Sequence, residues 1–142
     1  ISVPAYGVVV DKVLATVNGE PVTLSELEYI LQPIYARYEQ VFHGEKLNQY
    51  KAHARKELLE QLVENKLILH KAKKDGIAVT NVAVEKELAH VKENFSSGKE
   101  FEQALGKEGL TLEQYKKKVR DQLTIKVMIE KYLVSKIIVR PE

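Results

Sequence analysis

The sequence predicts a mainly α fold, a five-helix irregular bundle with an N-terminal β-hairpin. Three observations carry that prediction. A β-branched run from Val8 to Val17 meets Asn18-Gly19. Capping-box patterns open at Thr23, Ser97 and Thr111. Apolar residues then recur at helical spacing through most of the remaining chain. With 142 residues, 44% of them hydrophobic and 30% charged, the chain suits one domain able to bury a real core.

Residues 1–7 are expected to form a flexible N-terminal stub of the kind left beside a secretory cleavage site, and residues 8–139 the domain itself. Val8 to Val17 reads as a strand, with Val9, Val13, Ala15 and Val17 on one face. Asn18-Gly19 is the strongest short hairpin signal, because a type I′ turn needs positive φ at both central residues. The return strand, Glu20 to Val22, must be short and on an edge, since Pro21 cannot donate a ladder hydrogen bond. A lone hairpin is marginal in water, so helices have to cover it.

Thr23-Leu24-Ser25-Glu26 opens helix 1, whose stripe is Leu27, Leu31, Ile34, Tyr38 and Val41, with a kink expected at Pro33. A polar loop is expected over His43 to Leu47. Helix 2 should then run from about Asn48 to Lys74, with Ala54, Leu58, Leu62, Leu69 and Ala72 buried and Leu59, Val63, Leu67 and Ile68 widening the stripe. Asp75-Gly76 ends it. Thr80 caps helix 3, with Val84, Leu88, Val91 and Phe95. Ser97 opens helix 4, with Phe101, Ala104 and Leu105. Thr111 opens helix 5, which should reach about Ser135 with Tyr115, Val119, Leu123 and Val127 lining one side and Ile125, Met128, Ile129, Tyr132 and Leu133 making its second half broadly apolar. Ile137-Ile138-Val139 is expected to be extended.

The residue inventory excludes several chemistries. There is no cysteine, hence no disulfide and no thiolate metal site. His43, His53, His70 and His90 do not pair at the i,i+3 or i,i+4 spacing that presents two ligands to one metal. The sequence has neither a Gly-x-Ser-x-Gly elbow nor a Gly-rich phosphate loop, and no apolar run approaches the ~20 residues that span a bilayer. No catalytic residue, metal or cofactor is therefore expected. A net charge of +2, from 22 basic and 20 acidic residues, gives no pull toward nucleic acid. The basic cluster Lys116-Lys117-Lys118 and Arg120 is interrupted by Glu113 and Asp121 and fans around its helix, as a solvated face does.

The aromatic distribution says more. Tyr29, Tyr35, Tyr38 and Phe42 all fall on helix 1, more than one buried stripe requires. Each alone fits a ring capping the core edge with its hydroxyl in water. Together they suit one wall of a groove for extended apolar peptides.

The order of elements, with Val10-Asp11-Lys12-Val13-Leu14-Ala15-Thr16-Val17-Asn18-Gly19-Glu20-Pro21-Val22-Thr23, Leu58-Leu59-Glu60-Gln61-Leu62-Val63-Glu64-Asn65-Lys66-Leu67-Ile68-Leu69 and the stretch from Gly109 to Gln122, resembles the N-terminal chaperone domain of the SurA-like, parvulin-type foldases. The resemblance covers nearly the whole chain and implies a fold related to the trigger factor chaperone domain. It implies a periplasmic or otherwise extracytoplasmic bacterial chaperone domain that shields unfolded outer-membrane or secreted polypeptides. It also implies that 140–142 begin a linker toward a parvulin isomerase domain, whose catalytic residues have no positions in this chain. The expected client-binding residues are Tyr29, Tyr35, Tyr38 and Phe42 on one wall and Ile125, Met128, Ile129 and Tyr132 on the other. The alternative is a dimerisation or structural module whose apolar faces are met by a second copy, with elements exchanged between copies.

Overall fold

The computed structural model describes residues 11–137. It has five helices and an N-terminal two-stranded antiparallel hairpin, in the order β1 (Val13–Val17), β2 (Glu20–Thr23), α1 (Leu24–Val41), α2 (Gly44–Lys74), α3 (Asn81–Lys92), α4 (Gly98–Lys107) and α5 (Leu112–Ile137). The chain divides into two compact units after Leu67, inside α2.

In the first unit the turn forms as the residue pair demands, with Asn18 at φ 49 and Gly19 at φ 86. The strands pair Val17 with Glu20, Thr16 with Pro21 and Ala15 with Val22, and the register slips between Ala15 and Val13. That bulge corrects the predicted face. Ala15 and Val17 point inward, Leu14 packs on the core, and Val13 is turned out to solvent. The strand is also shorter than predicted: Asp11 and Lys12 lie outside β1, and residues 8–10, like 1–7 and 138–142, fall outside the described residues.

A compact set of hydrogen bonds ties the hairpin to α1. Thr23 Oγ1 accepts from the Glu26 N–H at 3.2 Å, as a cap should. The Ser25 N–H and hydroxyl both donate to Asp11 Oδ1, at 3.2 and 2.9 Å, and the Leu24 N–H donates to the Lys12 carbonyl at 2.8 Å. The Thr23 hydroxyl, and after it Ser25, holds the Asp11 carboxyl below its ordinary value of 3.8. Behind this lock Val22, Leu27 and Leu31 are fully buried with Leu62 of α2, and Ile30, Ile34, Tyr35, Ala54, Leu58, Leu59 and Val63 pack around them. Pro33 sits inside α1, which continues through it. The predicted loop from His43 to Leu47 is not there. Gly44 adopts φ 59, reverses the chain at once and lets α2 begin four residues earlier than expected.

In the second unit α2 ends with a paired closure, the Ile77 N–H donating to the Ala72 carbonyl at 2.9 Å and the Gly76 N–H to Lys73 at 3.2 Å. The same pattern closes α4, Leu110 to Leu105 and Gly109 to Gly106. Thr80 caps α3 and Ser97 caps α4, each accepting at 3.2 Å. Thr111 and Gln114 form a complete reciprocal box at 3.1 and 2.8 Å. Leu88, Phe101 and Leu105 make the core, where Phe101 meets Phe95 and Tyr115 edge to face at 5.4 and 5.6 Å. Ile137, predicted to be extended, is the last residue of α5. Nothing at Ser135 or Lys136 breaks the helix, since both are tolerated in a last turn.

Two outcomes follow. Leu27→Ala, at a fully buried site, lowers stability by about 2–5 kcal/mol in urea titration. Asp11 has its folded pKa depressed, so its contribution is present above the unfolded value of 3.8 and is lost as pH falls through the folded value. Asp11→Asn should remove that part of the acid limb in a melting-temperature series from pH 7 to pH 2.

Candidate functional site

No buried chemical centre emerges from the described residues. They contain no group of three or more His, Asp or Glu placed to hold a metal. His53 and His90 face Glu57 and Glu93 on exposed helix turns, at 3.0 and 3.2 Å. Glu60 and Glu64 are likewise exposed. The described residues include no helix long and apolar enough to cross a membrane.

The basic cluster is occupied by its own unit. Lys116 Nζ lies 2.7 Å from Glu85 and 3.9 Å from Glu113, and the Glu85 hydrogen bond raises its pKa. Lys117 meets Asp121 at 2.7 Å, and Arg120 donates to Asn81 Oδ1 at 2.5 Å. Asn81, Glu85, Glu113, Lys116, Lys117 and Arg120 line a mixed-charge hollow of about 310 Å³. Cations so engaged do not present the continuous positive face that a phosphate backbone requires.

Each unit also exposes large apolar side chains. In the first unit, an aromatic group surrounds the α1–α2 turn. Phe42 and Tyr50 stack at 4.1 Å with their planes 8° apart, and Tyr38 meets both rings edge-on, at 6.0 and 5.7 Å. Lys46 Nζ lies 5.3 Å from the Phe42 ring centre. Tyr38 and Phe42 are half-buried, and Tyr50 and Val41 are exposed. Tyr35 is half-buried against the core, its hydroxyl donating to the Lys51 carbonyl at 3.2 Å, while Tyr29 is exposed and apart from this group in the chain. The structure therefore joins Tyr38 and Phe42, adds Tyr50, and gives Tyr35 a structural bond. The sequence pattern places Tyr50 in the first turn of a helix beginning at Asn48, beyond a five-residue loop, and so gives no signal that it meets Phe42.

In the second unit the exposed surface lies on α5. Thr124 and Met128 are buried, Met128 at 1% exposure, whereas Val127, Ile129, Tyr132, Leu133 and Val134 are 42% to 56% exposed. Taking Met128 as the centre and about 100° per residue, Ile129 and Leu133 lie about 100–140° to one side, and Val127 and Val134 about 100–120° to the other. The covered strip thus has half-exposed apolar residues on both sides, with the exposed Lys131 among them on the Val127 side. Of the residues expected to contact clients, Ile129 and Tyr132 are at the surface, Ile125 is half-buried and Met128 supports the strip from inside.

Residues 3–129 match the model of a family described as the SurA-like N-terminal domain. The chain is 27% identical over 135 residues to Chaperone SurA of Salmonella typhimurium, covering 94% of this chain and 31% of that protein. It is 27% identical over 136 residues to the foldase protein PrsA of Clostridium perfringens strain 13, covering 91% and 40%. It is 26% identical over 129 residues to Chaperone SurA of Nitrosospira multiformis, covering 90% and 29%. The chain spans about a third of the length of the curated relatives it matches.

The aromatic group sets one expectation. Phe42→Ala removes one stack and one edge contact, each worth about 0.5–1.5 kcal/mol beyond area burial. The variant should lose about 1–3 kcal/mol in urea titration and alter tyrosine emission, the chain having no Trp.

Proposed function

The chain belongs to the SurA-like N-terminal domain family, and on that premise we propose that it is a chaperone domain that holds unfolded polypeptides on exposed apolar surface outside the cytoplasm. The observation that carries this reading is the set of five large apolar residues left bare on the second half of α5. A soluble helix ordinarily keeps its apolar residues to one covered stripe. Here apolar residues continue onto both flanks of that stripe.

Magnitudes favour holding over tight binding. A fully buried Val, Leu or Ile side chain contributes about 1.5–3 kcal/mol, and a side chain already half covered contributes about half of that. Five such contacts give roughly 4–7 kcal/mol before the cost of ordering the client, which corresponds to micromolar or weaker affinity. Clients would come and go. Tyr38, Phe42 and Tyr50 of the first unit offer a second surface of the same kind, with Tyr35 bracing it and Tyr29 a further exposed ring on α1. Tyrosines suit it because their hydroxyls stay hydrated while the rings are covered. The role is binding, with any isomerase chemistry assigned to other parts of a longer protein. The absence of cysteine fits a compartment in which thiols are oxidised.

The same exposed residues on α5 favour one competing reading, a homodimer that covers them. A single assay pair separates the two. At stoichiometric excess the chain suppresses light scattering by a chemically denatured client, and Val127→Ser/Ile129→Ser/Leu133→Ser loses most of that suppression with its melting temperature little changed. Sedimentation of the free chain shows a monomer. A tight dimer without suppression would establish the competing reading.

A further inference from the structure

The two outer edges of the hairpin are not equivalent. A two-residue turn makes Val17 and Glu20 the closing hydrogen-bonded pair, so in the next pair, Thr16 and Pro21, the backbone groups point away from the partner strand. On β2 that outward position falls to Pro21, which has no N–H and blunts its edge. On β1 it falls to Thr16, an exposed residue whose N–H and C=O both face outward. Among the described residues the sheet holds only these two strands.

Beside the open edge lies an apolar hollow of about 370 Å³, lined by Ala15 of β1 and by Leu59, Val63, Glu60 and Glu64 of α2. No β2 residue lines it, so it lies on the β1 side of the hairpin. Leu59 and Val63 stand one helical turn apart, as do Glu60 and Glu64, giving an apolar floor with an acidic rim along one side.

We infer that the outer edge of β1 and this hollow form one slot that takes an extended polypeptide segment by strand addition, with a branched apolar side chain in the hollow and a Lys or Arg against Glu60 and Glu64. The main-chain bonds at Thr16 accept any extended sequence, and the floor and rim select among sequences. The slot rests on the reading of the domain as a holder of unfolded chains and adds the client feature it recognises, a β-forming stretch flanked by basic residues. Pro21 confines addition to one edge, so a second copy of the hairpin cannot extend the sheet from the other side.

The test uses the 142-residue chain and a fluorescent decapeptide of alternating Val and Thr with Lys at both ends, compared with the same peptide N-methylated at alternate residues. The unmethylated peptide should bind, and methylation should weaken binding at least about tenfold by removing main-chain donors. Glu60→Lys/Glu64→Lys, on exposed positions, should weaken it by about fivefold or more. Amide exchange at Thr16 should slow when the peptide is added, and Thr16→Pro should bind no better than the wild-type chain binds the methylated peptide. Equal affinity for the two peptides, unchanged exchange at Thr16, or a Thr16 amide already protected without peptide would overturn the slot. If aggregation of a denatured client is still suppressed in that case, the slot fails and the holding role stands. Lost suppression with the slot criteria met removes the holding role and leaves the slot.

Discussion

On α5 the buried arc is too narrow for the apolar circumference it serves. Thr124 and Met128 are covered, and the residues on both sides of them are large, apolar and about half exposed. Thr124 can lie inside only because its hydroxyl donates to the Arg120 carbonyl at 2.8 Å, which satisfies the one polar group on the covered strip. Five large apolar side chains exposed on one half of a helix are the kind of surface that marks an interaction site.

The rest of the molecule is built so that this exposure does not unravel it. The ends of the elements are fixed by local polar bonds outside the second half of α5: Asp11, Thr23 and Ser25 at the start of α1, the paired closures after α2 and α4, and the reciprocal Thr111–Gln114 box that opens α5. Each cap contributes about 0.5–2 kcal/mol. The Asp75 carboxylate accepts from Lys71 at 2.6 Å, which lowers the acid's pKa and raises the lysine's, and it feels Lys131 of α5 as well. Each unit has its own apolar cluster, fully buried at Leu27 and Leu31 in the first and centred on Phe101 in the second. Surface apolar residues can then serve contacts with other chains while the cores hold the fold.

Much of this was legible in the sequence because the signals are local. Asn18-Gly19, Thr23, Thr80, Ser97 and Thr111 each specify a turn or a cap within four residues, and each does what its type dictates. Leu88, Phe101 and Leu105 followed from helical spacing. The departures have local causes of a different kind. A bulge next to Leu14 changes which side chains face inward, and alternation alone cannot locate it. Gly44 reverses the chain where a glycine among polar residues predicts a loop. Periodicity marked Met128 and Ile129 together as apolar, but which is covered depends on neighbours distant in sequence. Tyr50 joined Tyr38 and Phe42 only because the α1–α2 turn is shorter than its composition suggested.

Methyl-resolved NMR of the chain during titration with an unfolded polypeptide tests the central claim most directly. The account predicts shifts at Val127, Ile129, Leu133 and Val134, with the methyls of Leu27, Leu31 and Leu88 unchanged. Unperturbed α5 methyls at saturating client, or shifts confined to the buried leucines, would contradict it.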